Sequence, residues 1–204
     1  MATLAEIDRA FRLYVDKSDG QGSTDFLPGE RLQFINDAQV RLARTIVSRK
    51  VDNQDAVDLR RSLSRFKDIP ISGPSVNLPD DYLHYGRCRV QLAPPYQNYN
   101  VRVTIVSEDE LSDLLQDEFN TPTIGEPVAC FLHNTVVVYP RNAFSSFELS
   151  YYKLPKVLVE KEDVCELVEA LIPTLVQYAV QLALESVEST RTNTQAQIAS
   201  ATAA

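Results

Sequence analysis

The chain has 204 residues, of which 44% are hydrophobic and 24% charged, and a formal net charge of −8. This length and composition allow a folded core without disulfides or metals, and we expect one domain over residues 1–188. The negative charge repels phosphate, which argues against non-specific nucleic-acid binding as a main activity. The three cysteines are odd in number and widely spaced, which favours free thiols over a disulfide framework.

The N-terminal third is predicted to be helical. Apolar residues at helical spacing predict one helix over about residues 2–17 and a second over 28–49, which begins at Pro28, where proline fits a first turn. A shorter helix is expected around residues 56–66. The acids Glu6 and Asp8 argue against a secretory signal, and no stretch of the chain looks apolar enough to span a membrane.

The segment IPISGPSVNLP, residues 69–79, is predicted to be an extended connector because it contains three prolines and a glycine. Beyond it the hydrophobic period changes from 3.6 to 2, which predicts strands over about residues 84–154. These include strands near 88–92 and 101–105 and a hairpin turning at His133 and Asn134. Ser107 followed by Glu110 is a capping-box pattern and predicts a short helix.

The C-terminal part predicts a helix over about residues 163–188, which Pro173 should kink or split. Residues 189–204 contain few large side chains, so we expect a mobile tail. The predicted fold class is α+β, with a helical bundle of long N- and C-terminal helices packed with a small antiparallel β-sheet of about four strands.

The inventory of catalytic side chains is thin, and no catalytic, metal or cofactor site is expected. The nearest arrangement to a metal site combines Asp80, Asp81, His84 and Cys88, because strand alternation would put His84 and Cys88 on one face. The spacing fits no closed zinc pattern, so capping acids and a buried thiol are the preferred interpretation. The acids at 108–110 are explained in the same way by a helix N-terminus.

Arginines concentrate in one part of the chain, at positions 41, 44, 49, 60, 61 and 65. Solvated helix faces are the preferred interpretation, and a partner or nucleic-acid surface is the alternative.

Four short motifs follow in order between the predicted helices: LPDDYLHYGRCRV, VTIVSEDEL, NTVVVYP and FELSYYKLP. With the N-terminal helix pair and the C-terminal helix, they resemble the head–tail connector (adaptor, or neck) proteins of tailed bacteriophages. The resemblance extends from about Leu27 to Glu188. At the start of the first motif, four residues are expected to pack at the corner where the connector enters the sheet: Leu78, Pro79, Tyr82 and Tyr85.

The resemblance implies a non-enzymatic virion protein, made in the host bacterial cytoplasm and located at the head–tail neck. It implies a homo-oligomeric ring, typically dodecameric, that joins the portal protein to tail or neck proteins and surrounds the DNA ejection channel. Genomic DNA would pass without sequence-specific binding, along an acidic or neutral lining, and no membrane would be involved. Family members commonly dock on the portal through the C-terminal segment, which gives these docking candidates: Ser186, Thr190, Arg191 and Ile198.

Two other functions stay open from the sequence. One is a different tail-completion or assembly adaptor, which would share the acidic and non-catalytic character. The other is a small metal-dependent hydrolase that would use Asp80, Asp81 and His84 or the acids at 108–110.

Overall fold

The computed structural model describes residues 2–18, 26–48, 54–94 and 99–202, without the side chains of 17–18, 54–56 and 188–202. The chain forms two compact units. The helical unit comprises Met1–Leu63 and Leu154–Ala204, and the β unit comprises Ser64–Lys153.

In chain order, the described elements pass from the helical unit into the β unit and then back to the helical unit. The helices are α1 (Leu4–Ser18), α2 (Pro28–Ser48), α3 (Gln54–Arg61), α4 (Glu108–Gln116) and α5 (Ile172–Thr202). The strands are β1 (Ser64–Pro70), β2 (Val76–Asn77), β3 (Tyr82–Leu92), β4 (Asn100–Arg102), β5 (Thr104–Val106), β6 (Val128–Leu132), β7 (Thr135–Tyr139) and β8 (Phe144–Lys153). The predictions of α1, α2, α4 and the hairpin of β6 and β7 are confirmed.

In the helical unit, α1, α2 and α5 pack against one another. Helix α1 buries Leu4, Ile7 and Phe11, as the periodicity predicts, but the last position of its buried stripe is Val15, whereas the predicted Tyr14 is exposed. Its N-terminus has a reciprocal capping box: the N–H of Thr3 donates to the Glu6 carboxylate at 2.8 Å, and the N–H of Glu6 donates to the Thr3 hydroxyl. The capping box thus gives hydrogen-bond partners to two backbone N–H groups that have no partner within the helix.

The C-terminal helix begins and ends later than the sequence predicts. Residues 163–168 are not helical, and a 3-10 turn at Glu169–Leu171 leads into α5 at Ile172. Pro173 therefore lies in the first turn, where its missing N–H leaves no hydrogen bond unmade, and α5 is one helix and is not split. The helix continues to Thr202, beyond the predicted end at 188.

The β unit contains two four-stranded sheets. Their orders are β1-β8-β3-β4, which is antiparallel throughout, and β2-β7-β6-β5, in which β5 and β6 are parallel. Apolar residues of both sheets form one core cluster, including Val90, Phe147 and Leu149 from the first sheet and Ala129 and Val136 from the second. The two sheets therefore face each other across a shared core.

Helix α4 covers the outer face of the second sheet. Leu111 of α4 packs against Val106, Val128 and Cys130. Strand β6 is consequently buried on both faces, with Ala129 in the shared core and its neighbours under the helix. This explains why VACFL is a continuous apolar run and not an alternating one.

The fold class α+β is confirmed, but the finer architecture is not matched. The prediction of one small antiparallel sheet of about four strands is wrong, because the β unit has two sheets of four strands each, and the predicted bundle of long N- and C-terminal helices packed with such a sheet is not matched. Two strands, β1 and β2, lie where a helix end and a connector were predicted. The predicted strand at 101–105 is divided at Val103, so that β4 joins the first sheet and β5 the second.

One described stretch, Glu169–Val187, is long and apolar enough to cross a membrane by length and composition. No such stretch was expected from the sequence. Its buried residues Leu175, Ala179 and Ala183 recur every fourth position, and Gln177 and Gln181 between them are exposed. That pattern is typical of a helix with one face in the core of a folded unit.

Candidate interaction surfaces

The corner residues of the LPDDYLHY motif lie at the start of β3, beside an aromatic cluster. The Tyr82 ring stacks on Phe131 with centroids 5.9 Å apart, and Tyr85 stacks on the same ring at 5.2 Å. Leu78 packs against the shared core, and the carbonyl of Pro79 accepts a hydrogen bond from the N–H of Tyr82 at 3.0 Å. All four predicted corner residues thus lie in or next to one packed region.

The second acid of the motif forms a defined contact in this corner. The hydroxyl of Tyr151 donates to Oδ1 of Asp81 at 2.9 Å. Burial, and then the hydrogen bond and negative charge of Asp81, raise the pKa of Tyr151 to about 12. Burial likewise raises the pKa of Tyr82 to about 12. Asp81 is therefore a structural partner of a buried hydroxyl.

The four residues considered for a metal site are not brought together. The ladder between β3 and β8 shifts register between Tyr85 and Arg87, at Gly86. His84 therefore pairs with Tyr152 on the outer face, while Cys88 pairs with Leu149 in the core. The expectation that alternation puts both on one face is wrong because the bulge inserts one residue between them.

The environment of each side chain fits this separation. His84 is exposed and its Nδ1 lies 2.7 Å from the carbonyl of Tyr85, whereas burial raises the pKa of the Cys88 thiol to about 12. Gly86 allows a close approach, since a Cβ there would lie 3.3 Å from the Ser150 carbonyl oxygen. The described residues contain no group of three or more His, Cys, Asp or Glu side chains placed to hold a metal.

The acids at 108–110 begin α4, as predicted. Ser107 is the N-cap, and its hydroxyl accepts the N–H of Glu110 at 3.3 Å. Negative charge is favourable at this end of a helix, so the position of Glu108, Asp109 and Glu110 has a structural reason. At the β6–β7 hairpin it is His133, with φ 51°, and not Asn134, that takes the left-handed conformation.

The six arginines singled out by the sequence have different roles. Arg41 lies over the Tyr178 ring at 5.8 Å, and Arg44 is exposed on the same helix. Arg60 is buried and its Nε donates at 2.9 Å to the carbonyl of Ile46, one of the last carbonyls of α2. Arg61 and Arg65 are exposed, and Arg49 lies outside the described residues. The described arginines therefore do not share one environment, since Arg60 is buried and Arg41, Arg44, Arg61 and Arg65 are exposed.

Two amides on α2 were not anticipated from the sequence. Asn36 forms a pair of hydrogen bonds with the backbone of Leu158, accepting its N–H at 2.9 Å and donating to its carbonyl at 3.0 Å. The buried Gln39 donates to the carbonyl of Lys156 at 2.8 Å and accepts from the Cys165 thiol at 3.1 Å. Through these hydrogen bonds, the two side chains hold the segment 154–168 against α2.

That segment is further ordered by Asp163. Its carboxylate accepts the N–H groups of Val159 and Glu160 at 2.8 and 2.9 Å, and the Lys156 ammonium at 3.1 Å. These hydrogen bonds lower the pKa of Asp163 to about 2. The turn that results presents Val157 and Val159 to solvent.

The helical unit also contains a cavity of about 490 Å³ between α1, the start of α2 and the Val159–Lys161 turn. Leu4, Leu32 and Ile35 contribute its apolar walls. At its edge Asp8 pairs with Arg12 and, at 2.7 Å, with Arg31. Burial alone would raise the pKa of Asp8, but the two guanidinium groups outweigh it and lower that pKa.

The portal-docking candidates all lie on α5. The Ser186 hydroxyl donates to the carbonyl of Ala183 at 2.7 Å, within the helix. For Thr190, Arg191 and Ile198 only the helical backbone is described, so their side chains lie outside the described residues. The structure therefore leaves the docking prediction as a proposal.

Comparison with known families gives one match. The family described as SU10 adaptor protein matches residues 2–204, which is nearly the whole chain and includes both units. No curated protein matches the chain.

Proposed function

Because the chain belongs to the SU10 adaptor protein family, a family of bacteriophage head–tail adaptors, we propose that it forms a ring that joins the portal vertex of the capsid to the tail. The family is structural and not enzymatic, and membership makes the chain a virion component that contacts other phage head or tail proteins. The observation that carries the proposal is the match over residues 2–204. The ring would be dodecameric and located at the head–tail neck.

We propose that residues 186–204 dock on the portal protein. Ala183 is the last buried position on α5 among the described side chains, yet the backbone stays helical to Thr202. At 1.5 Å per residue, the 31 residues of α5 make a helix about 46 Å long. A helix end that carries Ile198 among small residues suits insertion into a groove on a partner.

Repetition around a ring would turn weak docking into a stable joint. Each docked tail raises the effective concentration of the next, so overall affinity exceeds that of one contact. Assembly on the portal then needs no large interface from a single subunit.

The net charge of −8 is consistent with a ring around a DNA channel. Acidic side chains along the channel would repel the duplex and neutral ones would not bind it, whereas a continuous basic lining would bind phosphate and slow ejection. We expect genomic DNA to pass through without sequence-specific binding.

Native mass spectrometry with the portal-type protein encoded on the same genome tests the proposal. We expect a complex that contains many copies of both chains, and a chain ending at Ser186 that folds but does not join it. No complex between the full chains would overturn the portal role and favour another tail-completion or assembly role.

A further inference from the structure

On the outer face of the first sheet, strands β3 and β4 carry three arginines. Arg89 of β3 lies directly opposite Arg102 of β4 in the ladder. Arg87 lies two residues before Arg89 on β3 and so is on the same face. The residues that alternate with them, Cys88 and Val90, point into the shared core. We call the surface formed by Arg87, Arg89 and Arg102 the arginine face.

These three guanidinium groups make no ion pair and no hydrogen bond with any side chain or backbone group in the described ranges. Glu148 lies opposite Arg89, but its Oε1 accepts from the Asn100 amide at 2.6 Å. Like charges directly opposite each other destabilise a sheet. The Arg89–Arg102 pair therefore carries a local electrostatic cost, which Glu148 opposite Arg89 and Asp68 opposite Glu148 offset only from the β8 side, and which an acidic partner would relieve further.

A large apolar side chain accompanies the arginines. Phe66 of β1 pairs with Ser150, which pairs in turn with Arg87, so Phe66 lies on the same outer face. It is 65% exposed. Exposed aromatic and arginine side chains together are typical of the residues that dominate protein–protein interfaces.

The opposite side of the β unit has the complementary character. Helix α4 lies on the outer face of the second sheet, across the shared core from the arginine face. The segment from Glu108 to Glu118 contains six carboxylates and no lysine or arginine. Its described side chains form no ion pair with other described residues, and the neighbouring Phe119 is 95% exposed.

We propose that the arginine face of one copy binds helix α4 of a second copy, so that β units associate head to tail. This inference rests on the proposed function in that it names the contact between copies of the adaptor. The contact would match three unpaired guanidinium groups with a helix of unpaired carboxylates, and would cover Phe66 and Phe119. Because the two surfaces lie on opposite sides of one unit, the contact is heterologous, and repetition generates a ring when the rotation closes.

Charge reversal on each surface tests the contact. R87E/R102E reverses two charges of the arginine face and places an opposite charge across from Arg89, so the sheet is not destabilised. D113K/E118K reverses one charge of α4 and one just beyond its C-terminal end, and leaves the acids of the first turn in place. R9E/R44E, at two exposed positions of the helical unit, changes the net charge by the same amount and in the same direction as R87E/R102E and serves as its control.

The readout is sedimentation velocity over a range of concentrations at low and high salt, with and without the portal-type protein. We expect wild type and R9E/R44E to self-associate, more weakly at high salt, and each reversed variant alone to associate at least tenfold more weakly. An equal mixture of the two reversed variants should recover association, because every contact then joins opposite charges. Variants that associate like wild type, or a wild type that remains monomeric in both settings, would overturn the inference.

Two further outcomes separate this inference from the portal role. A many-copy portal complex that is insensitive to both reversals would overturn the contact and leave the portal role standing. Salt-sensitive self-association that the reversals abolish, without any portal complex, would support the contact between copies and overturn the portal role. Binding of a short DNA duplex that R87E/R102E abolishes, with self-association unchanged, would also overturn the inference and assign the arginine face to nucleic acid.

Discussion

Asn36 and Gln39 show how single polar side chains hold the helical unit together. Gln39 lies on the buried stripe of α2, where the periodicity alone would place an apolar residue, and the partly buried Asn36 lies about one turn before it. Each instead satisfies backbone groups of the segment 154–168, which has no strand partner of its own there. Buried backbone groups need such partners because leaving them unpaired is costly.

We expect Asn36→Ala to lower the free energy of unfolding by about 1–3 kcal/mol, since both backbone groups of Leu158 would lose their partner. Urea denaturation of the full chain measures this. Gln33→Ala removes an exposed amide from the same helix and should change stability by less than about 0.5 kcal/mol. Equal effects of the two substitutions would contradict the role assigned to Asn36.

Tyr82 gives a second prediction for a single residue. Tyr82→Ala removes a ring that stacks on Phe131 and contacts Tyr151, and it should cost about 2–3 kcal/mol, less than for a fully buried aromatic side chain. The melting temperature should fall, whereas Tyr99→Ala, at an exposed tyrosine, should leave it nearly unchanged. An unchanged melting temperature together with lost portal binding would instead make Tyr82 a contact residue.

Among the elements, α5 illustrates how position determines the effect of proline. Pro173 fits because it lies in the first turn, whose N–H groups have no partner within the helix. We expect Pro173→Ala to change the free energy of unfolding by less than about 0.5 kcal/mol. Ala179→Pro, in the buried interior of the same helix, should cost about 3 kcal/mol or more. Thermal unfolding followed by circular dichroism distinguishes the two, and a large loss for Pro173→Ala would mean that Pro173 has another role.

The turn at 159–163 predicts a pH effect. The pKa of Asp163 is lowered from 3.8 to about 2, so between these values the folded state binds fewer protons than the unfolded state. The stability that Asp163 contributes is therefore complete above about pH 4 and is lost as the pH falls toward 2. Asp163→Asn should lower the melting temperature at pH 6 and give a shallower decline below pH 4. If the melting temperatures of wild type and Asp163→Asn fell in parallel as the pH was lowered, the Asp163 carboxylate would not be what holds the turn.

The sequence predicted elements whose signals are local and missed those that depend on a distant partner. Helix α4 follows from Ser107 and three acids, and the β6–β7 hairpin from two apolar runs around a two-residue turn. Strand β1 was missed because SRFKDIP is exposed along most of its length and becomes a strand only by pairing with β8. The division at Val103 and the parallel pairing of β5 with β6 leave the alternation unchanged, so no local pattern reveals them.

The candidate interaction surfaces, like the elements, could be predicted only where the residues that form them are adjacent in the sequence. The packing of the LPDDYLHY corner could be anticipated because proline, acids and aromatic residues are adjacent in the sequence. The separation of His84 from Cys88 could not, since it depends on a bulge set by pairing with β8. The arginine face was also missed, because Arg102 becomes a neighbour of Arg89 only when β4 pairs with β3.

For the whole molecule, the main organisational feature is that the β unit is one continuous segment inserted between two parts of the helical unit. The segment has its own apolar core, in which Val90, Phe147 and Leu149 are fully buried. A continuous segment with a core of its own meets the physical requirements for independent folding.

We therefore expect residues 64–153 to fold when produced alone. The fragment should show a cooperative thermal transition by circular dichroism, and Phe147→Asp, which places a charge in the core, should abolish it. A fragment without a cooperative transition would show that the β unit depends on the helical unit for its stability.

The two ends of the β unit meet, because Ser64 at the start of β1 lies opposite Tyr152 near the end of β8. In an antiparallel pair such residues have Cα atoms about 5 Å apart. Because the chain enters and leaves the β unit at neighbouring positions, a short spacer could join these two positions. The segment between them can therefore be removed or replaced as a single module. Recombination between related phages could exchange it in one event, and an experimenter could replace it with a reporter domain by the same two junctions.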